Sequence, residues 1–228
     1  MNRLDFIAKP PNFYEWLKVR DNGGGGGKET YTPLSYIEAS GDNRTEQYII
    51  TDWISNQKFA GIDCTFAASG AGAIFAALDS PQWLNFHDYY YNGANRFKFS
   101  ATPNNQELLN VEADLTEHTL IVDDEQHVKI DNLVDKWLGS YSITVNYKMF
   151  LFACNYGDNI TPSGMNTNQA IRIKSFTIYE KENNVRYKAV DMIAVIRDSD
   201  NKPGMYDKIS KTFYSSSGLA DFTAGAVL

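Results

Sequence analysis

The chain has 228 residues, of which 43% are hydrophobic, 14% aromatic and 21% charged, and its net charge is -7. This length is ample for one large all-β domain with a proper core, and the apolar content argues against intrinsic disorder over most of the chain. No run of five or more Lys and Arg residues occurs. The chain therefore lacks the basic stripe that a nucleic-acid binder needs, and its acidity disfavours adhesion to anionic membranes. We expect no nucleic-acid partner and no membrane insertion.

The first 22 residues differ from the remainder of the chain. Asn12 is a suitable N-cap, and residues 13–20 predict a short helix with an apolar face. Because so short a helix is marginal in water, we expect it to dock on its own domain or on a partner. The segment has no apolar run of signal-peptide length, which favours a protein kept in a cytoplasm or assembled into a particle there. We assign 1–22 as an anchoring segment whose partner-anchoring residues are Phe13, Trp16 and Leu17.

Five consecutive glycines, Gly23 to Gly27, follow this segment. Glycine has the greatest backbone freedom, so residues 23–30 are predicted to be a linker. Lys28 comes next, but a phosphate-binding Walker loop needs spaced glycines and a Ser or Thr after the lysine, and Glu29 stands there instead. The remainder of the chain, residues 31–228, is predicted to be a single β domain.

Beyond the linker the chain shows the alternation of half-buried strands. In residues 96–101 every second residue is apolar, which is the period of a strand with one face on a core. Residues 119–131 predict a hairpin with its turn at 123–126. The apolar positions that these two patterns place in the core are Phe97, Phe99, Ala101, Leu120, Val122, Val128 and Ile130.

Residues 170–180 predict a strand with a bulge. Ile171 and Ile173 have one parity, whereas Phe176 and Ile178 have the other, so the alternation shifts near Lys174 and Ser175. Further strand patterns and frequent turn signals fill the rest of the chain, which predicts a sandwich or barrel.

Both ends of the β domain carry family-like sequences. The opening SYIEASG and TEQYIITDW (35–53) and the closing residues 170–225 resemble those of concanavalin A-like, laminin-G-like jelly-roll domains of phage fibre and structural proteins, and 73–80 and 150–159 also fit. The resemblance covers about residues 31–225. It implies an all-β, two-sheet antiparallel jelly-roll sandwich, here with a short N-terminal helical or extended arm. The residues of the closing signature are Gly204, Met205, Tyr206, Asp207, Phe213, Tyr214, Gly218, Phe222 and Gly225.

The closing signature concerns folding. Gly204 and Asp207 are expected to shape a turn, and the aromatic residues of the signature to fill the core of the last hairpin. These residues therefore mark the fold and do not mark an active site.

The resemblance implies a non-enzymatic virion protein, such as a head or tail fibre or a decoration protein, assembled in the host cytoplasm. Its partners would be capsid or tail proteins bound through the N-terminus, and it would form a homo-oligomer, with the trimer of phage fibres as one option. The sandwich would serve adhesion to host-surface polysaccharide or contacts between subunits. A lectin-like carbohydrate-binding module of a bacterial surface system is the alternative.

An aromatic-rich stretch at 81–95 is the best candidate for carbohydrate binding. Exposed aromatic rings stack on pyranose faces, while Asn and Asp bind hydroxyl groups. Tyr and Trp are also enriched in subunit interfaces, so contact with another subunit is the alternative. The candidate residues are Trp83, Tyr89, Tyr90, Tyr91 and Asn92.

One acidic motif suggests an enzyme. Glu112, Asp114 and Glu117 have the Glu-x-Asp-x-x-Glu spacing of some concanavalin-fold glycoside hydrolases, in which two carboxyl groups flank the glycosidic bond. A regular strand would place Glu112 and Asp114 on one face, and a bulge would bring Glu117 round to it. Three acids within six residues are common by chance in a chain with 28 Asp and Glu residues, so we expect no catalysis.

Metal binding has weak signals. The three histidines, His87, His118 and His127, form no close ligand pair, so they are expected to be exposed and unliganded. Loops 155–159 and 198–201 offer oxygen ligands for calcium, but loops of this composition are more often turns. We expect no cofactor, with calcium as the alternative.

The two cysteines lie in apolar alternating runs. Cys64 follows the parity of Ile62 and Phe66, and Cys154 that of Phe150 and Phe152. Both are expected to be buried thiols, and a disulfide between them is left open at this point.

Overall fold

The computed structural model describes residues 29–40, 46–54, 58–70, 72–79, 82–102, 105–143, 146–155, 162–163 and 170–228. The predicted anchoring segment, with Phe13, Trp16 and Leu17, and the glycine run lie outside these residues. The described residues contain no helix, and hence none long and apolar enough to cross a membrane.

The strands of the described part are β1 (Tyr31–Pro33), β2 (Ile37–Ser40), β3 (Ile49–Ile54), β4 (Phe59–Ala68), β5 (Ala73–Asp79), β6 (Gln82–Tyr91), β7 (Ala94–Thr102), β8 (Asn105–Glu112), β9 (His118–Val122), β10 (His127–Ile130), β11 (Val134–Trp137), β12 (Lys148–Leu151), β13 (Cys154–Asn155), β14 (Pro162–Ser163), β15 (Ala170–Glu182), β16 (Val185–Arg197), β17 (Lys202–Asp207), β18 (Thr212–Tyr214) and β19 (Thr223–Ala224).

These strands form two antiparallel sheets that make a β-sandwich. The larger sheet has the order β11-β10-β9-β4-β15-β16-β17-β18, with β1 on β16, β2 on β15 and β19 on β2. The smaller sheet has the order β3-β12-β5-β6-β7-β8, and β13 pairs with β14 separately. The opening sequence of the resemblance, residues 35–53, supplies β2 to the larger sheet and β3 to the smaller one.

Aromatic rings fill the space between the sheets. Phe66 on β4 contacts Phe86 and Phe97 of the smaller sheet, each with ring centroids 5.0 Å apart and nearly perpendicular planes. Phe75 and Phe176 make a second contact across the sandwich, at 5.3 Å. Edge-to-face pairs of this kind add to the free energy gained by burial of the rings.

The sequence-predicted strand patterns are confirmed. The predicted hairpin is β9 and β10. Its four predicted core positions and the three in residues 96–101 are all buried. The bulge in β15 is also confirmed, because its pairing with β4 shifts register between Ile173 and Ser175. Ile171, Ile173, Phe176 and Ile178 all reach the core as a result.

The expected common face of Phe150, Phe152 and Cys154 is wrong. Phe152 has φ 65° and follows the end of β12, so the alternation stops there. Phe150 packs with Tyr48, and Cys154 packs on β5. Phe152 is partly buried and packs against the core between the sheets. Cys64 lies in the core between the sheets, and no disulfide joins the two cysteines.

The role expected for Gly204 is also corrected. Gly204 lies inside β17 rather than in a turn. It is glycine because β18 passes so close that a Cβ would overlap the carbonyl oxygen of Tyr214 and lie 2.7 Å from the ring of Phe213.

Asp207 does organise the turn, as expected. Its buried carboxylate accepts hydrogen bonds from the backbone N–H groups of Ile209 and Ser210, at 3.0 and 3.3 Å, and from the Ser210 hydroxyl at 2.7 Å. It also accepts one from the backbone N–H of Asp191 on β16, at 2.9 Å. The closing signature therefore ties the last turn to the middle of the larger sheet.

We predict that Gly204→Ala destabilises the fold by about 1–3 kcal/mol, the usual cost of forcing extra volume into a packed site. Urea unfolding followed by tryptophan fluorescence measures this loss. An unchanged free energy of unfolding would show that β17 and β18 can separate at little cost and that the close approach is not required.

Two of the three histidines, His87 and His118, are buried, whereas all three were expected to be exposed. His87 on β6 is only 5% exposed, and His118 is buried with its Nδ1 2.7 Å from Asp131 Oδ2. Burial, with a smaller contribution from Lys98, lowers the pKa of His87 to about 4. His87 is therefore neutral in the folded protein at pH 7.

The low pKa of His87 predicts a loss of stability in mild acid. The unfolded chain takes up a proton at His87 near pH 6.5, whereas the folded protein resists it down to about pH 4. The free energy of unfolding should therefore fall across this window, by on the order of 3 kcal/mol in total. Urea unfolding at pH 7, 5.5 and 4 should show a smaller decline for His87→Gln than for the wild type. Parallel declines in the two proteins would assign the acid sensitivity to other groups.

Candidate functional site

The aromatic carbohydrate-binding candidates lie on the smaller sheet. Trp83, Tyr89, Tyr90 and Tyr91 belong to β6, an inner strand between β5 and β7, and their side chains lie outside what the structure describes. Asn92 is exposed, with φ 51°, and Gly93 follows with φ 85°. Two consecutive residues with positive φ make the Asn-Gly turn of a tight hairpin. Turn geometry thus accounts for Asn92, and carbohydrate binding by this set stays a prediction.

The acidic motif does not form the expected strand face. Glu112 is the last residue of β8, so no regular strand continues to Asp114. The Asp114 carboxylate instead accepts the backbone N–H of Thr116 at 2.9 Å, a bond that lowers the pKa of Asp114. Glu117 pairs with Lys174 at 3.3 Å. These three exposed carboxylates have different surroundings, and the hydrolase hypothesis gains no support from them.

The described side chains that were considered as calcium ligands already have protein partners. Asn155 is buried and accepts the backbone N–H of Leu78 at 2.7 Å. Asp198 accepts the Thr32 hydroxyl at 2.9 Å, and Asp200 pairs with Arg197. Residues 156–159 of the first loop lie outside the described part. Among the residues that the structure describes, no group of three or more His, Cys, Asp or Glu side chains is placed to hold a metal ion.

A groove of about 480 Å³ runs across the outer face of the larger sheet. We call it the outer-face groove. Its floor exists because strand residues alternate between faces, so the polar residues between the buried apolar ones point away from the core. Its lining residues are Pro33, Leu34, Asp63, Thr65, Thr119, Ile121, Lys174, Ser175, Thr177, Tyr179, Lys188, Asp191, Ile193, Ala194, Lys208 and Leu228.

Strand register aligns the floor into rows. Asp63 on β4 pairs with Ile121 on β9 and with Thr177 on β15, and Thr177 pairs in turn with Asp191 on β16. A second row is formed in the same way by Thr119, Thr65, Ser175 and Ile193. Neighbouring positions in a row are about 4.8 Å apart, the spacing of strands in a sheet. Hydroxyl and carboxylate groups thus repeat at short, fixed intervals.

Tyr179 holds one end of the floor. Its hydroxyl donates to Asp63 Oδ2 at 2.8 Å, and the Arg186 guanidinium lies 3.7 Å from its ring centroid. Burial and the bond to Asp63 raise the pKa of Tyr179 to about 12, so this hydroxyl remains a donor at neutral pH. Gly61, which pairs with Tyr179, has no room for a side chain, since a Cβ there would overlap the carbonyl oxygen of Val122 and lie 2.7 Å from the Arg186 guanidinium.

Asp191 pairs with two of the three lysines that line the groove. Lys188 and Lys208 lie 3.0 and 2.9 Å from its Oδ2, and the Thr177 hydroxyl donates to its Oδ1 at 3.3 Å. Burial alone would raise the pKa of Asp191, but the two lysines outweigh this effect and the pKa lies below its ordinary value. An ionised carboxylate with lowered pKa is a poor general acid at neutral pH. The cluster suits binding rather than proton transfer.

The far end of the groove is apolar. Leu34 and Ala194 are joined there by a backbone hydrogen bond and their side chains are buried, so the apolar surface at this end is formed by Pro33, Ile193 and the exposed Leu228. The groove therefore combines an apolar wall with a polar, charge-paired floor. Such a surface can contact the C–H groups of a ligand on one side and bind its hydroxyl groups on the other.

The outer face of the smaller sheet differs at the corresponding place. There Cys154 of β13 packs on Ala73, Ala76 and Leu78 of β5, so that this strand is buried on both sides. In the part of the chain whose side chains the structure describes, the outer face at the centre of the larger sheet is polar and open.

Sequence reasoning identified the strands of the groove but not the groove itself. The residues that form the groove floor, such as Asp63, Thr65 and Thr177, are visible in the sequence as the polar positions between the buried ones. No pattern within one strand shows that β9, β4, β15 and β16 lie side by side, and this order alone brings the polar residues together.

No family model and no curated protein matches this sequence. The fold and the geometry of the groove are therefore the basis of the functional argument.

Proposed function

We propose that this protein is a non-enzymatic binding module that holds a saccharide in the outer-face groove. The observation that carries this proposal is the polar floor between Asp63 and Asp191, where hydroxyl and carboxylate groups lie side by side next to an apolar wall. A sugar ring presents hydroxyl groups that both donate and accept, together with apolar C–H faces. The groove offers a partner for each of these.

The floor is already organised. Tyr179 is held by Asp63 and Arg186, and Asp191 by two lysines. Side chains that are ordered before binding lose little further conformational entropy when a ligand arrives. The ion pairs also leave the floor close to neutral, which fits an uncharged polyhydroxyl ligand.

We further propose that the sandwich is a concanavalin-like jelly roll and that the protein is a structural component of a phage particle. Support comes from the resemblance of both ends of the β domain, and from the structural role of the closing residues: Tyr206 and Phe222 are buried, and Asp207 organises the last turn. In this proposal residues 1–22 attach the domain to a capsid or tail protein, and the groove faces the polysaccharide of the host surface.

Contact with another virion subunit is the competing use of the same surface. It would dehydrate the ion pairs of Asp191, and removing paired charges from water is costly. A saccharide leaves room for bridging water molecules, which makes it the better fit. A lectin-like module of a bacterial surface system would use the groove in the same manner and differs only in location.

We predict that an array of bacterial surface polysaccharides gives hits that depend on the groove. Ser175→Trp, which fills the floor, should weaken binding at least tenfold, whereas Ser217→Trp, at an exposed position outside the groove, should leave it within about twofold. Circular dichroism verifies that both variants fold. A silent array would refute saccharide binding, and hits lost with Trp83→Ala or Tyr90→Ala but kept with Ser175→Trp would move the site to β6.

The anchoring proposal has a separate test. Deleting residues 1–27 should leave a folded, soluble β domain that no longer joins the particle, because the deletion spares residues 31–228. Incorporation is measured by immunoblotting of purified particles against full-length protein. Normal incorporation of the shortened protein would remove residues 1–22 from the attachment role.

A further inference from the structure

We propose that the saccharide site continues beyond the outer-face groove to the edge of the larger sheet, where Trp137 stacks on a distal sugar ring. The ligand is then an oligosaccharide chain that crosses the strands, rather than a single sugar. This inference rests on the proposed saccharide binding and specifies the size of the ligand.

Trp137 is a large aromatic side chain without a buried environment. It is 61% exposed and ends β11, the edge strand of the larger sheet. Val134 of the same strand packs against the core, and Leu138 is buried. Asp135 and Trp137 have the opposite parity, so they lie on the outer face, as the groove residues do.

The surface between Trp137 and the groove is continuous. Trp137 pairs with His127 on β10, and Lys129 on β10 pairs with both Asp135 and Ile121. Ile121 is 37% exposed and lines the groove. From β11 to β16 the outer face crosses five interstrand intervals, or about 24 Å at the usual strand spacing. Several linked sugar rings fit along this distance.

The chemistry of this stretch matches that of the groove. His127 Nδ1 lies 2.7 Å from Asp135 Oδ1, and Lys129 lies 2.7 Å from Asp123. The apolar side chains Trp137 and Ile121 are therefore separated by a hydrogen-bonded His–Asp pair and a Lys–Asp ion pair. A protein partner would have to dehydrate these pairs to reach the apolar groups, whereas a hydrated glycan chain contacts the apolar groups and leaves water on the charges.

Trp137 is also suited to stacking by its position. It belongs to a strand paired along its length with β10, so its backbone is fixed rather than carried on a loop. Its flat ring offers an apolar face, and the indole N–H can donate to a hydroxyl group. An oligosaccharide that is bound in the groove already lies near the Trp137 ring, so it loses little further conformational freedom when it stacks there.

The test measures affinity against chain length by titration calorimetry of the full chain. The probes are malto-, cello-, xylo- and chito-oligosaccharides of two to eight sugars, with fragments of the same sizes cut from any polysaccharide that binds on the array. For the wild type, affinity should rise with length and then level off. Trp137→Ala should weaken binding of the long chains about tenfold and leave the shortest binding chain unchanged, whereas Trp137→Tyr should retain most of the gain.

The controls separate the two proposals. Leu133→Ala removes another exposed side chain of the same hairpin and should not alter affinity at any length. Ser175→Trp should weaken binding at every length. Binding that depends on Ser175 but not on Trp137 or on length refutes the extended site and leaves the groove in place. Absence of binding by any probe refutes saccharide binding itself, and the extended site with it.

Discussion

The contact of Phe66 with Phe86 and Phe97 is the constraint on which the outer surface depends. Phe66 must point between the sheets to reach these two rings, and strand alternation then directs Thr65 and Asp63 outward. A slip of one residue in β4 would exchange the two sets and place a carboxylate in the aromatic core. Burial of an unpaired carboxylate is so unfavourable that the register is determined, and with it the polar floor.

The bulge in β15 extends this arrangement to the neighbouring strand. Ile171 and Ile173 reach the core before the bulge, and Phe176 and Ile178 reach it afterwards. Without the extra residue one of these pairs would face water. The shift places Ser175, Thr177 and Tyr179 on the same side as Asp63, so a local irregularity of the backbone aligns the rows of the groove.

Much of the fold could be predicted from alternation, because burial of one strand face produces an alternating apolar and polar pattern within the sequence of each strand. The hairpin of β9 and β10 and the bulge of β15 were predicted in this way. The misassignments have local causes. Phe152 follows its strand with a left-handed backbone, which ends the parity expected for Cys154, and Gly204 is required by a neighbouring strand rather than by a turn. Neither cause can be derived from the sequence around the residue.

The candidate site was less accessible to prediction for the same reason. Asp63, Thr177 and Asp191 are far apart in the chain, and each is an ordinary polar residue between apolar ones. They become a surface only through the order of β4, β15 and β16, which depends on pairing between distant segments.

The separation of faces has a consequence for how such a domain can diverge. Thr65 and Ser175 contribute to the outer rows but not to the aromatic packing behind them. In the function that we propose, replacing these two residues changes which saccharide is bound without altering the core. Residues for binding and residues for folding then alternate along the same strands, so new specificities can arise without a new core.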